Sequence, residues 1–421
     1  MAGDDGVYVV GAGLAGLSCA HHLMAHGVNA TVLEAADSLG GRVRTDVVDG
    51  FLLDRGFQVL LTSYPEATAL LDYRALELHP FEPAALIRID GRFVKVADPF
   101  RHPMAALGAL LAPVGGAGDK LRLARLRRRA LREDLSCLLA RPEAPTAGAL
   151  AWYGFSPTMV ERLFRPLFAG MLMDPRLDAS SRSFELALRM LATGQAAIPS
   201  RGMAAIPQQL AAHLPGGVHL RRAATKVERG KLTLAGGEVL RPGAVVVATD
   251  GLSASWLLGE HVLSPPGSVP ATCLYFATEH PPLDEPVLML NAEGSGPVSH
   301  CCVPSAVSPT YAPPGGHLVS VTVLGPLAPG DELERAVVEQ LADWFGSGVL
   351  GWDLLATYRI EHALPAQPVG ALDPPERPVR LEPGLYLCGD HRDNASINGA
   401  LASGRRAATA VLEDLRSGAL D

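Results

Sequence analysis

A short run of β-favouring residues, Val7 to Val10, leads directly into Gly11-Ala12-Gly13-Leu14-Ala15-Gly16, and this junction narrows what the chain can fold into. G-x-G-x-x-G between a strand and a helix turns the backbone sharply at Gly11, leaves the main chain bare at Gly13, and lets helix and strand close on each other at Gly16. The helix predicted over Leu14 to Ala20 aims its unpaired N–H groups at the same point, where an anion is stabilised without a lysine. Alone, the motif is equally compatible with simple packing. A second buried strand, Ala30 to Leu33, ends in Glu34 about 20 residues past the loop, where a carboxylate grips ribose hydroxyls. Together they predict a dinucleotide-binding α/β unit and disfavour Glu34 as an ordinary strand-end charge.

At 421 residues the chain exceeds one ordinary core and predicts two domains, or two interleaved ones. With 48% hydrophobic and 19% charged residues there is material for a large core and an apolar cavity. A net charge of -8 argues against a nucleic-acid partner. Cys19, Cys137, Cys273, Cys301, Cys302 and Cys388 form no C-x-x-C pair, so reduced and mostly buried thiols are expected. His21, His22 and His26 fall on the first helix, in surface or packing roles, and no structural metal is expected. The first strand lies too close to Met1 for a signal peptide, and no apolar run approaches the roughly 20 residues of a membrane span. Met104 to Val114 reads as a short buried or surface-dipping helix, and the expected location is cytoplasmic.

After Glu34 and Ala35 comes Gly40-Gly41-Arg42-Val43-Arg44-Thr45. G-x-G-x-x-G, an acidic residue ending the second strand, and G-G-R-x-x-T together resemble the flavin-containing amine oxidase and phytoene desaturase superfamily. The resemblance implies an FAD-binding, Rossmann-like domain of glutathione-reductase type with a discontinuous α+β substrate domain. It implies FAD against Gly11, Gly13, Leu14, Ala15, Gly16, Glu34 and Ala35, with Gly41 near the diphosphate and Arg42 on the cofactor. The segment matching Gly56, Phe57 and Gln58 runs along the isoalloxazine ring in relatives; otherwise it is a plain strand edge. The residue matching Val227 meets adenine through its backbone.

The C-terminal stretch carries a second signal. Leu385 to Cys388 reads as a strand, Gly389-Asp390 ends it, and Ser396-Ile397-Asn398-Gly399-Ala400 opens the last helix. In the superfamily the acidic residue matching Asp390 binds the ribityl chain or diphosphate, and the helix start matching Ile397, Asn398 and Ala400 faces the flavin pyrimidine edge. A helix N-terminus there would stabilise the negative charge of reduced flavin.

Between these ends the pattern changes. Leu86 to Val96 reads as a hairpin with Asp90-Gly91 at its turn, and Lys120 to Leu139 as helical. Arg122, Arg125, Arg127, Arg128, Arg129 and Arg132 crowd that helix, which is either a solvated face or a peripheral contact with an anionic membrane. Thr158 to Asp174, then Ile198 to Met203, resemble the stretch that leads back from the substrate domain to the FAD domain. His219 to Glu228 reads as a strand and turn, Ala244 to Thr249 as a buried parallel strand. Thr272 to Ala277 and Leu318 to Val323 are strand-like, Asp331 to Phe345 is a helix ended by Gly346, and Pro265, Pro266, Pro281, Pro282, Pro313 and Pro314 mark loops. The implied division is FAD-binding segments at 1–60, 196–250 and 372–421, with substrate-domain insertions at 61–195 and 251–371.

The resemblance leaves the oxidised bond open. Amine oxidases of the superfamily commonly place an aromatic before the last helix and a lysine near N5; here Ser396-Ile397-Asn398 lacks the aromatic. The four lysines are Lys95, Lys120, Lys226 and Lys231. The sequence therefore fits better a dehydrogenase or desaturase of a lipophilic small molecule, reoxidised by oxygen or a quinone, with double-bond isomerisation a related reading. Amine oxidation is the alternative, and a third, of another class, is a flavin-free binding protein like the GDP-dissociation inhibitors. His362 and Gln367 are polar candidates near the cofactor, or ordinary loop residues. Cys388 is expected to pack rather than react.

Overall fold

The computed structural model describes residues 6–101, 108, 111–259, 267–326 and 330–420. Most of the Met104 to Val114 segment, and Pro265 and Pro266, lie outside them.

Six strands form the first sheet, in the order Val218–His219, Ala30–Leu33, Val7–Val10, Ala244–Val247, Leu385–Leu387, Arg380–Glu382. All neighbours are parallel except the last pair. Alternation along the central strand explains why both faces are covered. Val7 and Val9 join one core with Leu17 and Leu23 of the helix Leu14–Ala25, while Tyr8 and Val10 pack on Val227, Leu232 and Leu234. Those last three belong to a small antiparallel sheet of Ala224–Glu228, Lys231–Leu234 and Val239–Leu240. The single strand and turn expected over His219 to Glu228 is thus two short strands in different sheets. Arg221, at φ 55°, sits between them, and left-handed backbone breaks extended structure.

The chain crosses from strand to strand on either side of Val7–Val10, whose neighbours come from residues 30–33 and 244–247. Carboxyl ends of parallel strands beside such a switch point open a crevice. The closing helix, Ile397–Ser417, packs on Leu14–Ala25, and Ser18 Oγ donates to the Leu401 carbonyl at 2.8 Å. A Cβ on Gly404 would lie 2.1 Å from the Ala15 carbonyl oxygen, so this contact is backbone against backbone.

A second sheet has seven strands, ordered Asp353–Pro365, Ser268–Thr278, His317–Leu324, Val298–Cys302, Leu288–Asn291, Ala84–Ile89, Arg92–Ala97. The last two form the expected hairpin, with Asp90 at φ 49° and Gly91 at φ 76°. Helix Gly330–Phe345 covers one face through Leu333, Val337, Leu341 and Trp344, and Gly346 at φ 88° follows it. Against Ile87, Ile89 and Leu290 pack helices Ala117–Arg132, Thr146–Trp152 and Ser181–Thr193, with a continuous helical run from Pro157 to Leu172. Its Val160–Phe164 portion is π-helical, just ahead of Pro166, which offers no N–H to the preceding turn. Thr158 to Asp174 therefore stays in this helical layer. The chain rejoins the first part at Ala196–Pro199, which pairs with Leu60–Leu61 and Leu78–Pro80.

Candidate active site

A cavity of about 1650 Å³ is lined by residues at the carboxyl ends of the first sheet and on the second sheet. That exceeds the roughly 300–1,000 Å³ of a one-ligand pocket.

At one end stand Gly11, Gly13, Leu14 and Ala15, with Glu34 and Ala35 beside them. Gly11 adopts φ +111°, and a Cβ there would meet the Ala248 carbonyl oxygen at 2.9 Å. Around the Cβ direction of Gly13 nothing lies within 4 Å, so the turn offers bare main chain to the cavity. No side chain caps the helix that starts at Leu14. The Glu34 carboxylate accepts from Ala12 N–H and Ala36 N–H, each at 2.8 Å, which fixes it across the loop. Each oxygen keeps a further lone pair for a hydroxyl. Gly40 N–H donates to the Ala12 carbonyl at 2.8 Å, laying the second glycine pair against the first, and Gly41 also lines the cavity.

In the middle, Arg42 pairs with Asp390 at 2.7 Å and donates to the Ala363 carbonyl at 3.1 Å. Burial opposes the guanidinium charge, but the Asp390 carboxylate outweighs it and raises the Arg42 pKa. Gln58 Nε2 donates to the Arg42 carbonyl at 2.8 Å, bracing that loop. Gly389, Ile397 and Ala400 complete this wall, so a second helix start faces the cavity; Ser396 Oγ caps it by accepting from Gly399 N–H at 3.0 Å.

At the far end the lining turns apolar. Gly56 and Phe57 stand at the boundary, and the Phe57 ring meets Phe81 and His300 edge-on at 6.0 and 5.6 Å. Leu163, Phe164, Leu188, Leu288 and Leu290 continue the wall. Helix Ala117–Arg132 forms a flank through Lys120, Leu123 and Arg127. Lys120 Nζ donates to the Ala112 carbonyl at 2.9 Å.

Three expected residues stand off the wall. Gly16 serves helix packing, since a Cβ there would lie 2.0 Å from the Gly11 carbonyl oxygen. Val227 is buried between the first sheet and the small antiparallel sheet, while Ala224 and Thr225 of the same strand reach the cavity. Asn398 turns toward the helix Pro65–Leu70, where its Oδ1 accepts from Glu66 N–H at 3.0 Å. Of the polar candidates, His362 lines the cavity with Nδ1 2.6 Å from Ser268 Oγ, whereas Gln367 Oε1 accepts from Ser183 Oγ at 3.0 Å and ties two segments together. Cys388 is fully buried, and burial pushes its thiol up to about 12. Cys19, Cys273, Cys301 and Cys302 are also buried free thiols, and Cys137 is exposed.

Some lining residues escaped the sequence reading. Thr249 and Asp250 follow the strand Ala244–Val247 as Glu34 follows its own, and that position was a usable signal. His300 and Thr322 carried none, because their strands meet only in the folded sheet.

The residues fit a long phosphate-bridged dinucleotide: bare backbone and two helix starts for the anionic middle, a fixed carboxylate at one end, an apolar chamber at the other. Residues 14–412 match the flavin-containing amine oxidoreductase family. The chain belongs to that family. Membership makes it an FAD-dependent oxidoreductase and sets aside the reading as a flavin-free binding protein. A match of 370 residues at 30% identity joins this flavin-containing oxidoreductase to phytoene dehydrogenase of Streptomyces griseus, covering 75% of this chain and 71% of that one. Mitochondrial protoporphyrinogen oxidase of Nicotiana tabacum is 41% identical over 66 residues, 16% of this chain and only 13% of that enzyme's length. The solved structure of putrescine oxidase bound to putrescine has the same fold, with TM-score 0.72 at 17% identity over 97% of this chain and 99% of that one. Among the described residues no helix is long and apolar enough to cross a membrane.

Proposed function

We propose that this oxidoreductase desaturates a CH–CH unit of a lipophilic small molecule, removing a hydride and a proton, and passes the electrons to oxygen or a quinone. The observation that carries this reading is the chamber beside Phe57, walled by Phe81, Leu163, Phe164, Leu288 and Leu290. Such a wall holds hydrocarbon, excludes water and positions a C–H bond by shape. FAD supplies the hydride acceptor when bound. Gly11, Gly13, Leu14, Ala15, Glu34, Ala35, Gly41, Arg42, Gly389, Asp390, Ile397 and Ala400 would hold it, with Gly56, Phe57 and Gln58 along its ring. The phytoene dehydrogenase relative supports a polyene-like substrate. The Ser396-Ile397-Asn398 segment, without an aromatic, supports it over an amine.

The exposed Arg125, Arg128 and Arg132 on the helix flanking the chamber support contact with an anionic lipid surface, from which such a substrate would be drawn.

Anaerobic titration of the FAD-loaded protein with polyenes, primary amines and amino acids tests the reaction class. Polyenes are expected to bleach the visible flavin absorbance. Rapid bleaching by a simple primary amine, with polyenes inert, would assign the protein to amine oxidation instead.

A further inference from the structure

One row of polar side chains crosses the second sheet where it lines the chamber. Cys273, Thr322 and His300 are consecutive partners across three adjacent strands, Cys273 opposite Thr322 and Thr322 opposite His300. Directly opposed residues share a face of a sheet, and all three line the cavity. Their neighbours Val321 and Val323 turn the other way, into the core under helix Gly330–Phe345.

Thr322 is 6% exposed, and among the described residues its Oγ1 has no side-chain partner beyond the facing Cys273 thiol. The facing Cys273 thiol is at best a weak partner, and its Sγ already lies 3.5 Å from Ser320 Oγ. His300 is also 6% exposed; its Nδ1 has only a long contact of 3.4 Å to Ser299 Oγ, and Nε2 has no hydrogen-bond partner among the described residues. Gly170 makes the niche for this ring, since a Cβ there would lie 3.0 Å from His300 Cε1. A buried hydroxyl without a strong partner is rare in folded proteins and calls for an explanation. A valine and a phenylalanine would fill these two places at lower cost in a chamber meant for hydrocarbon alone.

We propose that Thr322 and His300 form a reading site for one neutral oxygen, a carbonyl or hydroxyl, carried by an otherwise apolar substrate. Thr322 Oγ1–H donates to that oxygen, and the imidazole Nε2 supplies a second donor or, to a hydroxyl, an acceptor. Burial lowers the His300 pKa to about 4, so the ring is neutral near pH 7 and reads a dipole rather than an anion. This deepens the desaturase reading by naming the polar group of its substrate, and it rests on that reading only for the chamber being the substrate site.

The test uses the resting FAD-loaded protein without turnover. Binding of 2-decanone and of decane is followed by the flavin difference spectrum, in wild type, Thr322→Val, Thr322→Ser, His300→Phe and His300→Gln. Thr322→Val and His300→Phe should each weaken ketone binding about fivefold, the factor one hydrogen bond is worth, and leave decane binding equal or tighter. Thr322→Ser and His300→Gln should retain ketone binding. The proposal is overturned if ketone and alkane change together in every variant, if ketone binding is indifferent to both apolar variants, or if the wild type does not bind the ketone. A protein that reads the ketone this way yet is never bleached by a lipophilic substrate would keep the site and lose the desaturation.

Discussion

Gly11 and Gly13 stand two positions apart and answer to different demands. Gly11→Ala puts a side chain at positive φ against the Ala248 carbonyl and should destabilise the apoprotein by about 1–3 kcal/mol, measured by thermal melts. Gly13→Ala points into open cavity and should leave the apoprotein melt unchanged while weakening FAD binding at least about tenfold, equivalent to 1.4 kcal/mol. Equal effects of the two substitutions would contradict this division. Asp54 gives a pH signature. It is buried and accepts from Thr45 Oγ1, Met203 N–H at 2.9 Å and Tyr311 Oη–H at 2.9 Å, yet burial still pushes it up to about 6. A carboxyl with a raised folded pKa binds its proton more tightly when folded, so its contribution favours folding below about pH 4 and is lost as pH rises through about 6. The advantage of wild type over Asp54→Asn in urea midpoint should therefore shrink between pH 4.5 and pH 8; growth over that range would contradict the assignment. The glycines of the first loop and Glu34 were legible in the sequence because their spacing to a strand end is local, and Asp390 through the resemblance of its segment to the family. Thr322 and His300 were not, because 22 positions separate them and only strand pairing makes them neighbours.

Elements carry the site by where they begin. The closing helix reaches the cavity with its first turn, and Ser396 holds that turn. Ser396→Ala should cost about 1 kcal/mol in stability and loosen FAD, read together as a lowered melting temperature and a raised FAD dissociation constant; a drop in neither would contradict the capping role. Helix Ala117–Arg132 buries Leu126 and Ala130 and exposes Arg125, Arg128 and Arg132. Charge-reversal Arg125→Glu with Arg128→Glu should abolish sedimentation with anionic vesicles at low salt and leave neutral vesicles unaffected. Wild type that ignores anionic vesicles would remove lipid contact from the account. The sequence marked both segments as helical. It did not place Thr158 to Asp174, since an apolar helix looks the same in sequence whether it returns to one sheet or stays against the other.

On the scale of the whole molecule, the first sheet collects strands from residues 7–10, 30–33, 218–219, 244–247 and 380–387, and the second from 84–97 and 268–365. Residues of both sheets line the same cavity. That the first sheet draws strands from both ends and the middle of the chain agrees with the three separated segments expected from the sequence. The seven-strand order was not, because it rests on pairings such as Leu288–Asn291 with Ala84–Ile89, about 200 residues apart. Desaturation is decided by product analysis after a single anaerobic turnover with a lipophilic substrate. One product per flavin bleached is expected, two hydrogens lighter and bearing a new C=C bond. An aldehyde with released ammonia from an amine, or a bleached flavin with no new double bond, would contradict it.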